Sequence, residues 1–344
     1  MSKPFEITIV YNDPEKIEPD PQNLDTSIIG VKSEIEFIEN SLRNAGFKVS
    51  VLPVYNARCF INDMLNLKTD LIYNFCEIVE SESQEEIFAA GIYELLKIPY
   101  TGATPMTLGL CLDKAKTKIM LSHYGIPTAK FDLFNEGIDG YKKINLQFPV
   151  IVKPVHEDAS AGINEKSVVY NWKELEERVE YIVKMFKQPA LVEEFIDGRE
   201  VNVAILGNNP PVVLPISEID FSRLPSHLPK IVSYEAKWIP NTDYYEKTIP
   251  ICPAPLEPEL ENKIKDIALS CYKIMGCRDY ARVDIRIDKE GNPYVLEVNP
   301  NPDLSRNAGF MRSASVYGLT PEETIVKIAE IAIERSYADK KFAK

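Results

Sequence analysis

Apolar side chains recur along this chain with two different periods, and the alternation between them sets the expected elements. Residues 6–10 (EITIV) form a short run rich in β-branched residues, as a buried strand does, and residues 32–45 carry apolar positions at helical spacing, closed by Gly46. Strands at 48–52 and 70–75 and a helix at about 84–97 continue the rhythm, which predicts a small parallel α/β domain. Residues 12–27 are rich in proline and acidic residues and predict a long surface loop. Further on, the pattern gives a helix over 112–124, an apolar strand over 148–153 ending in Lys153-Pro154, and an amphipathic helix at about 172–186. Strands at 191–195, 200–206 and 212–216 follow, then helices at about 257–275 and 321–334. The stretch 221–258 is dense in proline and aromatic residues and reads as a long loop, with a lid over a cleft as its natural role. There is no internal repeat and no low-complexity tract.

The segment YARVDIRIDKEGNPYVLEVNPNPDLS, residues 280–305, carries the densest chemistry. Val283, Ile285 and Ile287 alternate with Arg282, Asp284, Arg286 and Asp288, and Leu296 and Val298 alternate with Glu297 and Asn299, which predicts a hairpin. If its loop is Glu290-Gly291, counting back places Asp284 opposite Glu297 and Arg282 opposite Asn299. Two facing carboxylates repel, so the arrangement asks for a cation, and Asn299 adds a neutral oxygen. An all-oxygen Asp, Glu and Asn set suits Mg²⁺, which keeps waters and takes its other ligands from nucleotide phosphates; Mn²⁺ is the alternative ion. The same pattern fits a hairpin with a solvated outer face, and a bulge at Gly291 would shift the register by one residue.

At 344 residues and 45% apolar content, the chain is expected to fold as two or three packed domains. No stretch resembles a membrane span or a signal peptide, so a cytoplasmic protein with no membrane partner is expected. The six cysteines include no C-x-x-C pair, and neither zinc nor disulfides are expected. A net charge of −13 argues against a nucleic-acid partner, which needs a basic face, but not against a nucleotide held by a few local lysines and one divalent cation.

Lys114 opens a helix that also carries Lys116 and Lys118, Lys153 ends a strand, and Lys237 lies in the proline-rich stretch; each alone reads as a surface cation. The loop 156–162 (HEDASAG) is rich in small residues and follows a strand, as a phosphate-covering loop does and as a plain turn also does. In LVEEFIDGREVNVAIL, Glu193 and Glu200 sit among apolar residues, where they either face water or accept hydrogen bonds from a base and a ribose.

Taken together, IPYTGATPMTLGLCLDKAKTK, FPVIVKP, LVEEFIDGREVNVAIL, SYEAKW and GCRDYARVDIRIDKEGNPYVLEVNPNPD resemble the ATP-grasp superfamily, and within it the D-alanine–D-alanine ligase-like branch, over nearly the whole chain from about Asp70. The resemblance implies an α/β ATP-grasp fold of three α/β subdomains: a Rossmann-like N-terminal domain at 1–110, a central subdomain at 111–189, and a C-terminal subdomain at 190–344 with its lid at about 221–258. The nucleotide cleft would lie between the last two. It implies Mg-ATP, an acyl phosphate made from a small-molecule carboxylate, and attack by an amine to give an amide, ADP and phosphate. Homologous ligases are often homodimers. By the same resemblance, Lys114, Lys153 and Ser160 would meet the phosphates, Glu193 with Glu194 and Ile196 the adenine, and Glu200 the ribose. Lys237 would reach the γ-phosphate from the lid, Arg282 would steady the acyl phosphate and oxyanion, and Asp284, Glu297 and Asn299 would hold the metals. An alternative is a catalytically inactive ATP-binding or regulatory protein of the same fold, for which Arg282, Lys237 and a full metal set would not all be needed.

The departures from the family lie on the substrate side. The chain has Asn74-Phe75-Cys76-Glu77-Ile78-Val79-Glu80-Ser81-Glu82-Ser83 where those ligases have a His-Gly segment followed by Gly-Glu-Asp-Gly. The serine and tyrosine whose hydroxyls tie phosphate loop to lid align with Ala159 and Trp238, so that closure is expected to be lost. The oxyanion glycine aligns with Asp303 and the product-carboxylate serine with Ala308. Arg306 and Arg312 lie near the acceptor end, either as solvated residues or as charge for an acidic group. A substrate larger or more acidic than D-alanine is expected, such as a dipeptide or a dicarboxylic amino acid.

Overall fold

The computed structural model describes residues 5–13, 26–79, 84–136 and 145–342. The expected loop at 12–27 lies outside the described residues from 14 to 25, and so does the stretch 80–83. The N-terminal domain holds β1 (Glu6–Asn12), α1 (Thr26–Asn44), β2 (Lys48–Val54), α2 (Ala57–Asn66), β3 (Leu71–Phe75) and α3 (Glu85–Leu95), with β2, β1 and β3 side by side and parallel, as expected.

The expected single helix at 112–124 is two: α4 (Pro105–Leu112) and α5 (Lys114–His123). Asp113 breaks it by accepting the Lys116 N–H at 2.9 Å, an N-cap that makes Lys114 the first residue of α5. After β4 (Phe131–Phe134), β5 (Val150–Pro154), β6 (Val168–Val169), α6 (Trp172–Phe186) and β7 (Ala190–Glu194), the central sheet has the order β4-β7-β5-β6. β7 pairs antiparallel with both β4 and β5, so the expected division at 189/190 falls before a strand that belongs to the central sheet. The chain crosses out of that sheet over 195–198, where Gly198 comes so close to residues 287–288 that a Cβ would lie 1.9 Å from the Ile287 carbonyl oxygen.

The last sheet has the order β11-β10-β8-β12-β13, with a short β9 on β8. Its elements are β8 (Arg199–Leu206), β9 (Val212–Val213), β10 (Ser217–Asp220), α7 (Tyr234–Trp238), α8 (Asp243–Lys247), β11 (Ile249–Ile251), α9 (Pro258–Ile274), β12 (Tyr280–Ile287), β13 (Pro293–Asn299), α10 (Gly309–Tyr317) and α11 (Pro321–Phe342). The lid stretch is therefore not a bare loop. Ser233 and Thr242 each cap a five-residue helix within it, and its Phe221, Leu224, Ile231 and Tyr244 pack with Val168 of β6 into a small core of their own.

Two cores divide the packing of the domains. Ile7, Ile9, Ile38 and Tyr73 of the N-terminal domain share one core with Ala204, Tyr280, Phe310 and Ile328 of the C-terminal one, whereas the central sheet and α6 form a separate core around Val152, Val179 and Val192. Asp279, fully buried, pins the shared body: it accepts from Gly102 N at 3.0 Å and from Arg335 Nε and Nη2 at 2.9 Å each.

Candidate active site

The β12–β13 hairpin has the expected register at its chemical end. Arg282 lies opposite Asn299 and Asp284 opposite Glu297, but the route to that register differs from the simple count. Nearer the turn Ile285 pairs with Val295 and Ile287 with Pro293, and Asp288 N donates to Asn292 O at 3.0 Å, so the loop is the three residues Lys289-Glu290-Gly291 with Gly291 at φ +85°. Leu296 is then left over between Val295 and Glu297 as a bulge, not at Gly291, and its extra residue cancels the extra residue of the turn.

The facing carboxylates are compensated by cations of the chain itself. Arg282 grips Asp284 through Nε and Nη2, both at 2.8 Å, and Asn202 Nδ2 donates to Asp284 Oδ1 at 2.7 Å. Asn299 Nδ2 donates to Asp284 Oδ2 at 3.0 Å and to Glu297 Oε1 at 3.4 Å. Lys114 Nζ comes within 3.7 Å of Glu297 and 3.5 Å of Asp158, and it donates to the Glu157 carbonyl. Burial alone would raise the Glu297 pKa, but Lys114, then Lys153, Lys237 and Arg282, outweigh it and hold the carboxyl down at about 2. Burial and the burial-opposing pull of Asp284 act against each other on Arg282, and the net effect raises its pKa.

From the facing lobe, Lys153 on β5 reaches Glu193 Oε1 at 2.8 Å, and Lys118, one helical turn after Lys114, reaches Glu193 Oε2 at 3.2 Å. Glu200 does not face water either: it is buried, and Arg286 Nη1 holds Oε2 at 3.0 Å while its guanidinium stacks over Phe195, 5.1 Å from the ring centre. Burial pushes the Glu200 pKa up, with Arg286 opposing. Lys237 opens onto the cleft from the last turn of α7; the surrounding walls and then the Arg282 charge push its pKa below the usual lysine value, with Glu297, Asp284 and Glu200 pulling it back.

The loop 156–162 is fastened to the lid stretch. Ser160 Oγ donates to Val232 O at 2.9 Å, and Trp238 Nε1 donates to Ala159 O at 3.2 Å. The closure expected to be lost with the two hydroxyls is therefore present in another form, through the backbone carbonyl that any residue at position 159 would offer. Ala159 and Ser160 both have positive φ, 53° and 64°, a strained conformation for residues with side chains that this docking helps to hold.

The structure thus brings Lys114, Lys153, Glu193, Glu200, Lys237, Arg282, Asp284, Glu297 and Asn299 around one cleft, with Ser160 on its loop. Glu194 is the exception: strand alternation turns its side chain away from Glu193, and it accepts from Gln147 N at 3.1 Å. Ile196 lies half-buried in the crossing between β7 and β8. Lys118, Asn202 and Arg286 were not anticipated. For Lys118 the signal was present, since residues four apart share a helix face with Lys114 while Lys116 does not.

Comparisons with known proteins agree with this geometry. The sequence model of the family described as D-ala D-ala ligase C-terminus matches residues 120–330. The chain is 35% identical over 277 residues to the uncharacterized protein y4sG of Sinorhizobium fredii, covering 80% of this chain and 79% of that one. It is 33% identical over 288 residues to the D-alanine–D-alanine ligase of Carboxydothermus hydrogenoformans, covering 78% and 88%. The crystal structure of the Bacillus anthracis D-alanine–D-alanine ligase complexed with ATP superposes with a TM-score of 0.74 at 22% identity, covering 97% of this chain and 99% of that one, which shows the shared fold. The chain therefore belongs to the D-alanine–D-alanine ligase family and is an ATP-dependent carboxylate–amine ligase of the ATP-grasp fold.

Proposed function

We propose that the protein activates a small carboxylic acid, an amino acid or short peptide, as an acyl phosphate at the expense of ATP and joins it to an amine. The observation that carries this reading is the convergence of Lys114, Lys153, Lys237 and Arg282 with Asp284, Glu297 and Asn299 at one cleft under a docked lid. Phosphoryl transfer needs positive charge aimed at the equatorial oxygens more than covalent help, and an acyl phosphate needs a closed, dry site to outlast hydrolysis. Lys114, Lys153 and Lys237 supply that charge to the phosphates. Arg282 faces the acyl carbon and its developing oxyanion, and Glu193 and Glu200 hold base and ribose.

The donor set fits Mg²⁺. Asp284 and Glu297 offer hard anionic oxygens, and Asn299 offers a third once its amide turns Oδ1 toward them in place of Nδ2. Asp284, Glu297 and Asn299 would hold the ion, which would supply positive charge against the negative charge of the nucleotide phosphates. The same proposal covers a cytoplasmic homodimer with small-molecule substrates and neither nucleic-acid nor membrane partners; among the described residues no helix is long and apolar enough to cross a membrane.

The test is an ADP-release screen over pairs of amino acids, short peptides and small acids, with mass detection of the amide. A pair that yields ADP and amide in equal amounts supports the reading. ATP binding with no amide from any pair would favour the non-catalytic alternative.

A further inference from the structure

Lys118 is, among the described residues, the largest charged side chain sealed completely inside the protein, with 0% of its surface exposed, and nothing in the phosphate chemistry requires it. Its Nζ reaches two groups: Glu193 Oε2 at 3.2 Å and Thr128 Oγ1, to which it donates at 2.7 Å. Thr128 is fixed in turn, donating from Oγ1 to Val295 O at 3.0 Å on β13. Glu193, 1% exposed, meets Lys153 from the other side, with Nζ 2.8 Å from Oε1.

The carboxylate is thus a deliberately ionised group in a place where burial favours the neutral acid. Burial raises the Glu193 pKa, and Lys118 and then Lys153 bring it below the ordinary value. Burial pulls the Lys118 pKa down as well, Glu193 opposing; with two lysines on one carboxylate, the ionised acid is the state the geometry favours. The two lysines are not equivalent. Lys153 lies at the open side among the groups proposed to meet phosphate, where a bound nucleotide competes with Glu193 for its charge. Lys118 has no access to a ligand and stays on Glu193 throughout.

We infer that Lys118 is a positioning residue for base recognition: by keeping Glu193 ionised and pointed, it makes the base pocket accept only hydrogen-bond donors, and so selects a 6-amino purine against a 6-oxo purine. This rests on the proposed placement of adenine at Glu193. A carboxylate offers acceptors alone, so it bonds to the amino group of adenine and repels the carbonyl of hypoxanthine or guanine, whereas a protonated Glu193 could donate to that carbonyl. Removing Lys118 takes away the larger of the two charges that oppose protonation, and leaves Lys153, which the nucleotide would compete for.

The probes are ATP and inosine triphosphate, which differ at the base edge Glu193 would read. Their dissociation constants are measured by equilibrium dialysis with Mg²⁺ from pH 5.5 to 9, for the full chain and for Lys118→Met, Lys118→Arg and Thr128→Val. The native chain is expected to prefer ATP by about 100-fold, the scale of one hydrogen bond to a charged group, across the range. Lys118→Met is expected to cut that preference to about tenfold or less at acidic and neutral pH and to recover it as pH rises, while Lys118→Arg keeps it. Thr128→Val, which loosens Lys118 without removing a charge, should shift in the same direction by a smaller factor, and it decides the matter if Lys118→Met does not fold. Full, pH-independent preference in folded Lys118→Met, or an unaltered one in Thr128→Val when Lys118→Met does not fold, overturns the role of Lys118 alone. No preference in the native chain overturns the adenine placement as well, and the ligase reading is judged separately by ADP release.

Discussion

Trp238 Nε1 donates to Ala159 O at 3.2 Å, so beside the Ser160–Val232 bond the loop 156–162 is latched to the lid stretch by one side chain and one backbone carbonyl. Trp238→Phe keeps the aromatic face and removes the donor. We expect kcat to fall by about tenfold with a smaller change in nucleotide affinity, since the latch matters most when the lid is closed. Ala159→Ser should change neither by more than about twofold. Stopped-flow ADP formation alongside ATP-binding isotherms separates the two effects, and equal losses in rate and affinity for Trp238→Phe would place the bond in nucleotide binding.

Asp284→Ala and Glu297→Ala are expected to abolish measurable amide formation while differing in stability. Repulsion between the two acids suggests that deleting either would relieve strain, but the bidentate Arg282–Asp284 pair reverses that for Asp284: its removal leaves a mostly buried guanidinium unpaired. Breaking such a pair costs about 3–5 kcal/mol, visible in urea unfolding without metal. Glu297→Ala should cost less at pH 7. The stabilisation from Glu297 is present in full above its ordinary pKa of 4.5 and is lost as pH falls toward about 2, so the native chain should lose an acid-sensitive component there that the variant lacks.

Glu86 moves the other way. Burial, with Glu77 and Asp158 nearby, lifts its pKa to about 8, although it accepts from Asn301 Nδ2 at 2.6 Å. The folded state therefore holds a proton that the unfolded state releases above about 4.5, and stability falls as pH rises between that value and about 8. Melting curves from pH 5 to 9 should show Tm declining in the native chain and a flatter profile in Glu86→Gln. A slope unchanged by the substitution would assign the proton elsewhere.

The two arginines of the acceptor end part company. Arg306 pairs with Glu322 at 2.9 Å and covers the Phe37 ring at 4.2 Å, so it belongs to the packing of the shared body. Arg312 meets only neutral acceptors, Ser217 Oγ at 3.2 Å and Asn307 O at 2.9 Å, and forms no ion pair among the described residues. Arg312→Met is expected to raise KM for an acidic amine substrate by tenfold or more and to leave ATP binding unchanged. With D-alanine alone, turnover should stay below about 1 s⁻¹. Faster dipeptide formation, measured by phosphate release and mass, would return the protein to its relatives' substrate.

The sequence made most of the site legible because it is built on strands, where alternation fixes which residues share a face. The Asp284–Glu297 pairing was nevertheless reached by a count that missed two irregularities: a three-residue turn and the Leu296 bulge, which no pattern in PYVLEVN announces. Lys118 is not legible in the sequence, because a lysine inside a helix reads as surface unless its i, i+4 partner is already known to face inward. The four-residue strand β4 and the five-residue helices α7 and α8 are too short for periodicity to register, which hid the reach of the central sheet and the folded nature of the lid. Chain order could not show that Trp238 would find a carbonyl in place of a hydroxyl.

The common core of the N- and C-terminal domains has a mechanical consequence. The packing gathers the chain into two units, because Ile7, Tyr73, Tyr280 and Phe310 cannot part without opening one interior, while the central sheet has a core of its own. Helix α5 joins the two: Leu121 is embedded in the core of the C-terminal sheet, and Ala115 packs against Val155 and Leu191 of the central one. Lys114 and Lys118 lie on that joining helix, so a displacement of the central subdomain against the larger unit would strain the helix that sets Lys114 beside Glu297 and seals Lys118 on Glu193.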